Sequence, residues 1–398
     1  MERISVQLFK KSQSELSDLG AVITANEIKQ QPELWNEAWE TYQEKKETID
    51  AFLLDIQQKA TGKVRVIFTG AGTSAYVGDT IVPYLNKTGD TKTFTFESIA
   101  TTDIVAAPLD YLNEEDWTIL VSFARSGNSP ESIAAVDVAN KVVKNLRHIT
   151  ITCAAEGSLA KAAANDSENL LLLMPERSND QGFAMTGSFS CMTLSALLIF
   201  DKASVEEKKQ FVETMITMGN EVIDQEEQLQ TILKAPYGRI VYLGSGSLAG
   251  LTREAQLKVL ELTAGKVATM FDSSMGFRHG PKSFVDDQTI VFVFVNNDEY
   301  TRQYDVDILE EIRHDQIAAQ TIAITQSSEQ TAFAGTSFGF SEKEVLLPEA
   351  YLALPFVMVA QTVSLISSVK VGNTPDTPSA TGTVNRVVKG VTIHTYEV

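Results

Sequence analysis

The chain has 398 residues, 43% of them hydrophobic and 21% charged, and a formal net charge of -19. That length exceeds one hydrophobic core and suits two or so domains, and the composition is globular, which excludes a disordered or fibrous chain. Acidity without any basic stripe argues against nucleic-acid binding, so an anionic ligand has to be held locally.

The amino terminus lacks the long apolar core of a secretion signal, and no apolar run reaches the about 18 residues of a membrane span, so the expectation is a cytoplasmic protein with no membrane contact. From Gln31 to about Ala60 the pattern is an amphipathic helix with Pro32 at its start. Short β-rich runs then alternate with helical patterns, as in a parallel sheet covered on both faces. The first set is Val64–Phe68, Thr93–Glu97, Trp117–Val121, His148–Thr152 and Leu170–Met174. Cys153 and Cys191 fall in apolar surroundings and are expected as buried, reduced thiols. Four scattered histidines with no Cys/His cluster give no zinc site. After a helical stretch at roughly 188–234, a second set follows: Arg239–Leu243, Val267–Phe271, Thr289–Val295, Thr321–Thr325 and Glu344–Leu347. The two sets keep an offset of about 174 residues, which predicts an internal duplication of one five-stranded α/β layer. Beyond Gly372, Pro375 and Pro378 break regular structure, so the end should be an extended tail able to cross the surface and close a site.

In an open doubly wound sheet, ligands settle outside the carboxyl ends of the strands where strand order reverses. Thr69–Ala75 follows a strand, and its Gly70, Gly72 and Ala75 also match a loose dinucleotide fingerprint, with Glu97 as a ribose acceptor. The same turn recurs at Gly244–Ala249, which favours shared architecture over one cofactor site. Val121–Ser132 ends a strand in Ser126, Gly127, Ser129 and Pro130. Plain N-capping explains Ser129 and Pro130. Phosphate binding also explains Ser126 and Gly127, which add a hydroxyl and close backbone approach to a helix start, with Ser74 joining from the neighbouring loop and Arg125 as the nearby positive charge. Farther on, Glu254, Lys258 and Glu261 fall at i, i+4 and i+7 on one helix face, by default a solvated face. If that face lines a cleft, one carboxylate becomes a candidate base. His279 sits in a glycine-rich bend, either structural or presented as a proton shuttle.

These motifs, Gly70–Ser74, Ser126–Ser129, Leu257–Glu261 and Arg278–Pro281, resemble the SIS (sugar isomerase) domain family over most of the chain, and look like the isomerase half of glucosamine-6-phosphate synthase. The resemblance implies an α/β fold of two tandem SIS domains, each a flavodoxin-like five-stranded parallel sheet sandwiched by helices, with N-terminal helices and an extended C-terminal tail. The expected division is 1–44 helical, 45–215 and 216–370 SIS domains, and 371–398 tail. A chain beginning at Met1 lacks the amino-terminal cysteine of a glutaminase, so nitrogen from glutamine is not expected.

Within the family, the wording of the Arg125–Ser132 loop is most similar to galactosamine-6-phosphate deaminase/isomerases and tagatose-6-phosphate ketose/aldose isomerases. Such a resemblance implies that Ser74, Arg125, Ser126, Gly127 and Ser129 hold a sugar phosphate. It makes Glu261 the base that moves a proton between C1 and C2, Lys258 its helper, His279 the ring-opening group reaching in from a neighbouring subunit, and Lys389 a tail lysine over the substrate. No metal or redox cofactor is implied, and the partners are a sugar phosphate and a homodimer or higher homo-oligomer with shared sites. Ala124 and Arg125 stand where the synthase has serine and glutamine, and Glu261 and His279 lie two residues farther apart. A plain aldose/ketose isomerase, a deglycase, and a non-catalytic sugar-phosphate sensor are the rival readings.

Overall fold

A computed structural model describes residues 7–386 and 390–397. The chain divides into two compact units, each discontinuous along the sequence. The first combines residues 34–180, 187–208, 384–386 and 390–397 around strands β1 (Val64–Thr69), β2 (Phe94–Ser98), β3 (Trp117–Ala124), β4 (Asn145–Thr152) and β5 (Asn169–Leu173). The second combines 7–33, 181–186 and 209–383 around β6 (Arg239–Gly244), β7 (Ala268–Ser273), β8 (Thr289–Phe294), β9 (Gln320–Thr325) and β10 (Thr336–Gly339). The expected boundaries at 44, 215 and 370 do not provide for this exchange. Residues 7–33 join the second unit because Glu226 accepts the Leu8 and Phe9 amides at 2.6 and 2.8 Å, and Gln31 donates to Gln361 at 2.6 Å.

Every strand pair is parallel, in the order β2-β1-β3-β4-β5 and again β7-β6-β8-β9-β10. The identical order in both sheets is the duplication read from the sequence. Central strands are continuous apolar runs because both of their faces are covered; β8 is buried at every position. The tenth strand is the exception. It is Thr336–Gly339, not Glu344–Leu347. The apolar Val345–Leu347 run leads into a helix and buries only Leu347, whose amide is taken by the Gln326 side chain rather than by a strand.

The helices that matter below are α1 (Gln31–Lys59), α2 (Thr73–Thr88), α3 (Pro130–Val142), α4 (Gly187–Phe200), α5 (Ser247–Leu262), α6 (Glu299–Asp315) and α7 (Glu349–Lys370). α4 is buried on all sides, as a core helix must be. α7 corrects the expectation about apolar runs. It is long and apolar enough to cross a membrane, yet its apolar window is wholly buried inside the protein. Its polar residues break the run to the eye but are satisfied locally: Thr362 and Ser364 donate to carbonyls one turn back, and Ser368 donates to Leu262 O. Cys153 and Cys191 are free, buried thiols as expected, and burial pushes Cys153 up to about 12.

Candidate functional site

In the β1–β5 unit, strand order reverses between β1 and β3, which are hydrogen-bonded neighbours whose helices leave in different directions. The turn after β1 closes tightly. A Cβ on Gly70 would sit 2.5 Å from the Ser74 backbone, and Gly72 adopts φ +56°, which only glycine accepts cheaply. This brings buried Ser74 to the first turn of α2. The NAD reading fails on the other half of its motif. Glu97 is held by Arg65 through two hydrogen bonds of 2.8 Å, so its carboxylate serves the sheet edge.

After β3, Arg125–Ser129 leads into α3 with Pro130 as the first helical residue. Gly127 has φ +65°, and its carbonyl accepts the Leu159 amide at 3.1 Å. Asn128 accepts the amide and hydroxyl of Ser158 at 3.0 and 2.9 Å, so the loop is braced from the β4 side. Ser129 occupies the N-cap position but makes no capping hydrogen bond, which weighs against the plain-capping reading of its hydroxyl. Arg125 is 7% exposed, and its Nη2 donates to the Arg386 carbonyl at 2.5 Å. The guanidinium of Arg386 donates in turn to the Asp180 carbonyl at 2.8 Å and to Asn179 at 3.3 Å. The tail is thus tied to Arg125 at the start of the Ser126 loop through the Arg386 backbone. Nothing local in the sequence marks Arg386, because its partners are distant in the chain. Lys389 lies outside the described residues.

In the β6–β10 unit, α5 overturns the default reading of its charged face. Glu254 is fully buried, Lys258 is 1% exposed and Glu261 is partly exposed. Lys258 Nζ lies 2.7 Å from Glu261 Oε2 and 3.3 Å from Glu254 Oε1. Burial on its own would lower the lysine pKa, but the fields and hydrogen bonds of Glu254 and Glu261 outweigh it and hold the ammonium above its ordinary value. Such a triad combines a half-open carboxylate with a fixed, desolvated positive charge one turn away. His279 follows the short 3₁₀ turn Gly276–Arg278 and is exposed. Its loop is clamped to α6: Arg278 and Lys282 reach Glu311 at 2.6 and 2.5 Å.

The second sheet has its own reversal, between β6 and β8, and its loops are already occupied. Glu349, the first residue of α7, accepts the Ser247 amide at 3.2 Å and the Asn296 side-chain amide at 2.9 Å. Asp305 accepts both the Ser245 and Ser274 hydroxyls at 2.5 Å, and the Asn296 amide at 3.0 Å. Sequence reasoning found neither carboxylate. Glu349 is simply one more acidic residue at a helix start, and Asp305 one more within a helix, until the fold brings them back.

The family model described as SIS domain matches residues 61–200 and 232–341. The chain is 44% identical to "D-galactosamine-6-phosphate deaminase AgaS" from Escherichia coli over 94% of this chain and 96% of that protein. A crystal structure from Clostridium novyi superposes with a TM-score of 0.89 at 40% identity, covering 98% of this chain and 100% of that one. The tagatose-6-phosphate ketose/aldose isomerase from Escherichia coli superposes with a TM-score of 0.83 at 41% identity, covering 94% and 97%.

Proposed function

This chain belongs to the SIS domain family, and on that premise we propose that it is an enzyme converting galactosamine 6-phosphate and water to tagatose 6-phosphate and ammonia. The observation that carries the reading is the buried Glu254–Lys258–Glu261 triad. A desolvated lysine between two carboxylates is costly to build, and a module that only binds sugar phosphates has no use for it. The Escherichia coli relatives that bear the deaminase name extend over the same length of chain.

The roles follow from the chemistry. Ser74, Ser126, Ser129 and the amide of Gly127, with Arg125, hold the 6-phosphate with neutral donors and one guanidinium, which reconciles a dianionic substrate with so acidic a protein. His279, given across a subunit boundary, opens the ring. Glu261 takes the proton from C2 of the open amino aldehyde and returns it to C1. Negative charge developing on the C1 oxygen is met by Lys258, and Lys389 of the tail is the second donor in this reading. The product of proton transfer is a C2 ketimine; water adds, the C2–N bond breaks, and the nitrogen leaves as ammonia, which makes the second step a hydrolysis. Exposed Phe271 and Met275, on edge strand β7 and the turn after it, offer an apolar face to a second copy, so a homodimer or higher homo-oligomer in the cytoplasm is part of the proposal.

A plain ketose/aldose isomerase is the second reading, favoured by the name of the Escherichia coli structural relative; it uses the same proton transfer and stops before water adds. One incubation separates the two. Galactosamine 6-phosphate should yield ammonia and tagatose 6-phosphate in equal amounts. Interconversion of tagatose 6-phosphate with its aldose, and no ammonia from the amino sugar, would overturn the deaminase.

A further inference from the structure

The loops at the two strand-order reversals are built alike. Gly72 has φ +56° and ψ -127°, Gly246 has φ +59° and ψ -131°, and each is the N-cap of a 16-residue helix. Gly70 and Gly244 are equally crowded by the first turns that follow: an added Cβ would meet Ser74 C at 2.5 Å and Leu248 O at 2.8 Å. What differs is the space in front of the helix. Among the described residues, a Cβ on Gly72 would meet nothing within 4 Å, whereas one on Gly246 would collide with Glu349 Oε2. The Ser247 hydroxyl at that place is fully buried with no hydrogen-bond partner.

We infer that the second reversal is an oxyanion cradle closed by the chain's own carboxylate: Glu349 takes the position at the start of α5 that a substrate phosphate takes at the start of α2. The amides of a helix start attract any oxyanion, and a carboxylate supplied by α7 satisfies them permanently. Asp305 sits beside it on the hydroxyls of Ser245 and Ser274, so negative charge already fills this end of the sheet and repels a second sugar phosphate. The self-ligand also fixes the helix that carries Glu254, Lys258 and Glu261 before any substrate binds. One repeat therefore keeps its cradle open, and the other holds its reactive helix with an internal anion. The likeness to the first cradle rests on the phosphate-loop reading above; the occupancy of the second does not.

Removing the carboxylate tests it. Titration of the full chain with inorganic phosphate should give one more bound anion per chain for Glu349→Ala than for the wild type, and no extra anion for Glu349→Gln, whose amide still fills the space. If the phosphate-loop reading is wrong, the counts become none and one instead of one and two, so the increment isolates this proposal. Formate, which replaces the lost group, should raise the melting temperature of Glu349→Ala and leave the wild type unchanged. Should Glu349→Ala fold poorly without an anion, its refolding yield in formate gives the same answer. Equal phosphate counts, together with no response of the variant to formate, would overturn the inference.

Discussion

The two sheets share strand order, turn geometry and helix length, yet they put the same loops to opposite uses. The β1–β5 unit leaves the start of α2 open and braces its second loop, Arg125–Ser129, from β4 and from the tail. The β6–β10 unit closes the start of α5 with Glu349 and concentrates ionisable groups farther along that helix. On the proposed reading, duplication provided two anion cradles, and the halves diverged by what fills them. A repeat can thus specialise in binding or in chemistry without any change of fold.

Substitutions in one half should therefore differ in kind from those in the other. Lys258→Met has the largest expected effect. It removes the ammonium that buried Glu254 and its neighbour Glu261 share at 3.3 and 2.7 Å, which costs about 3–5 kcal/mol of stability, read from urea unfolding, and turnover should collapse with it. A wild-type-like unfolding midpoint would break the picture of the triad.

The pH dependence of the β6–β10 unit is next. Burial first, and the nearby Glu349 charge after it, raise Asp305 from 3.8 to about 6 against the pull of Ser245, Ser274 and the Asn296 amide. A carboxyl raised in the folded state favours folding fully below its unfolded pKa, and that contribution is lost as pH rises through about 6. The difference amounts to about 2 kcal/mol between pH 4 and pH 7. Asp305→Asn should flatten this part of the stability profile, whereas substitutions in the Ser126 loop should leave it untouched. Smallest is the binding half itself. Ser126→Ala removes one donor to a dianion, so KM should rise about tenfold or more with kcat little changed, as steady-state rates will show.

Much of this was legible in the sequence because it is local. Nine strands follow from apolar runs bounded by turn residues, and the repeat follows from their even spacing. β10 was missed since Val345–Leu347 is more apolar than Thr336-Ser-Phe-Gly339, and local composition outweighed pairing that only the sheet reveals. Ser74, Ser126, Ser129, Lys258 and Glu261 were singled out by motif spacing and by the family resemblance. Burial of Lys258 was not, because i, i+4, i+7 charges read as a solvated face until a neighbouring element covers them. Glu349 lies 102 residues from the amide it accepts, and Arg125 is 261 residues from the carbonyl that Arg386 offers it. No window of sequence carries contacts of that span.

The account turns on a binding half and a reacting half that can be separated, and Glu261→Gln separates them. Titrated with galactosamine 6-phosphate, this variant should bind one sugar phosphate per chain with wild-type affinity, while ammonia release falls by about 10²–10⁴-fold, the usual worth of a general base. Ammonia release at the wild-type rate from Glu261→Gln would contradict it.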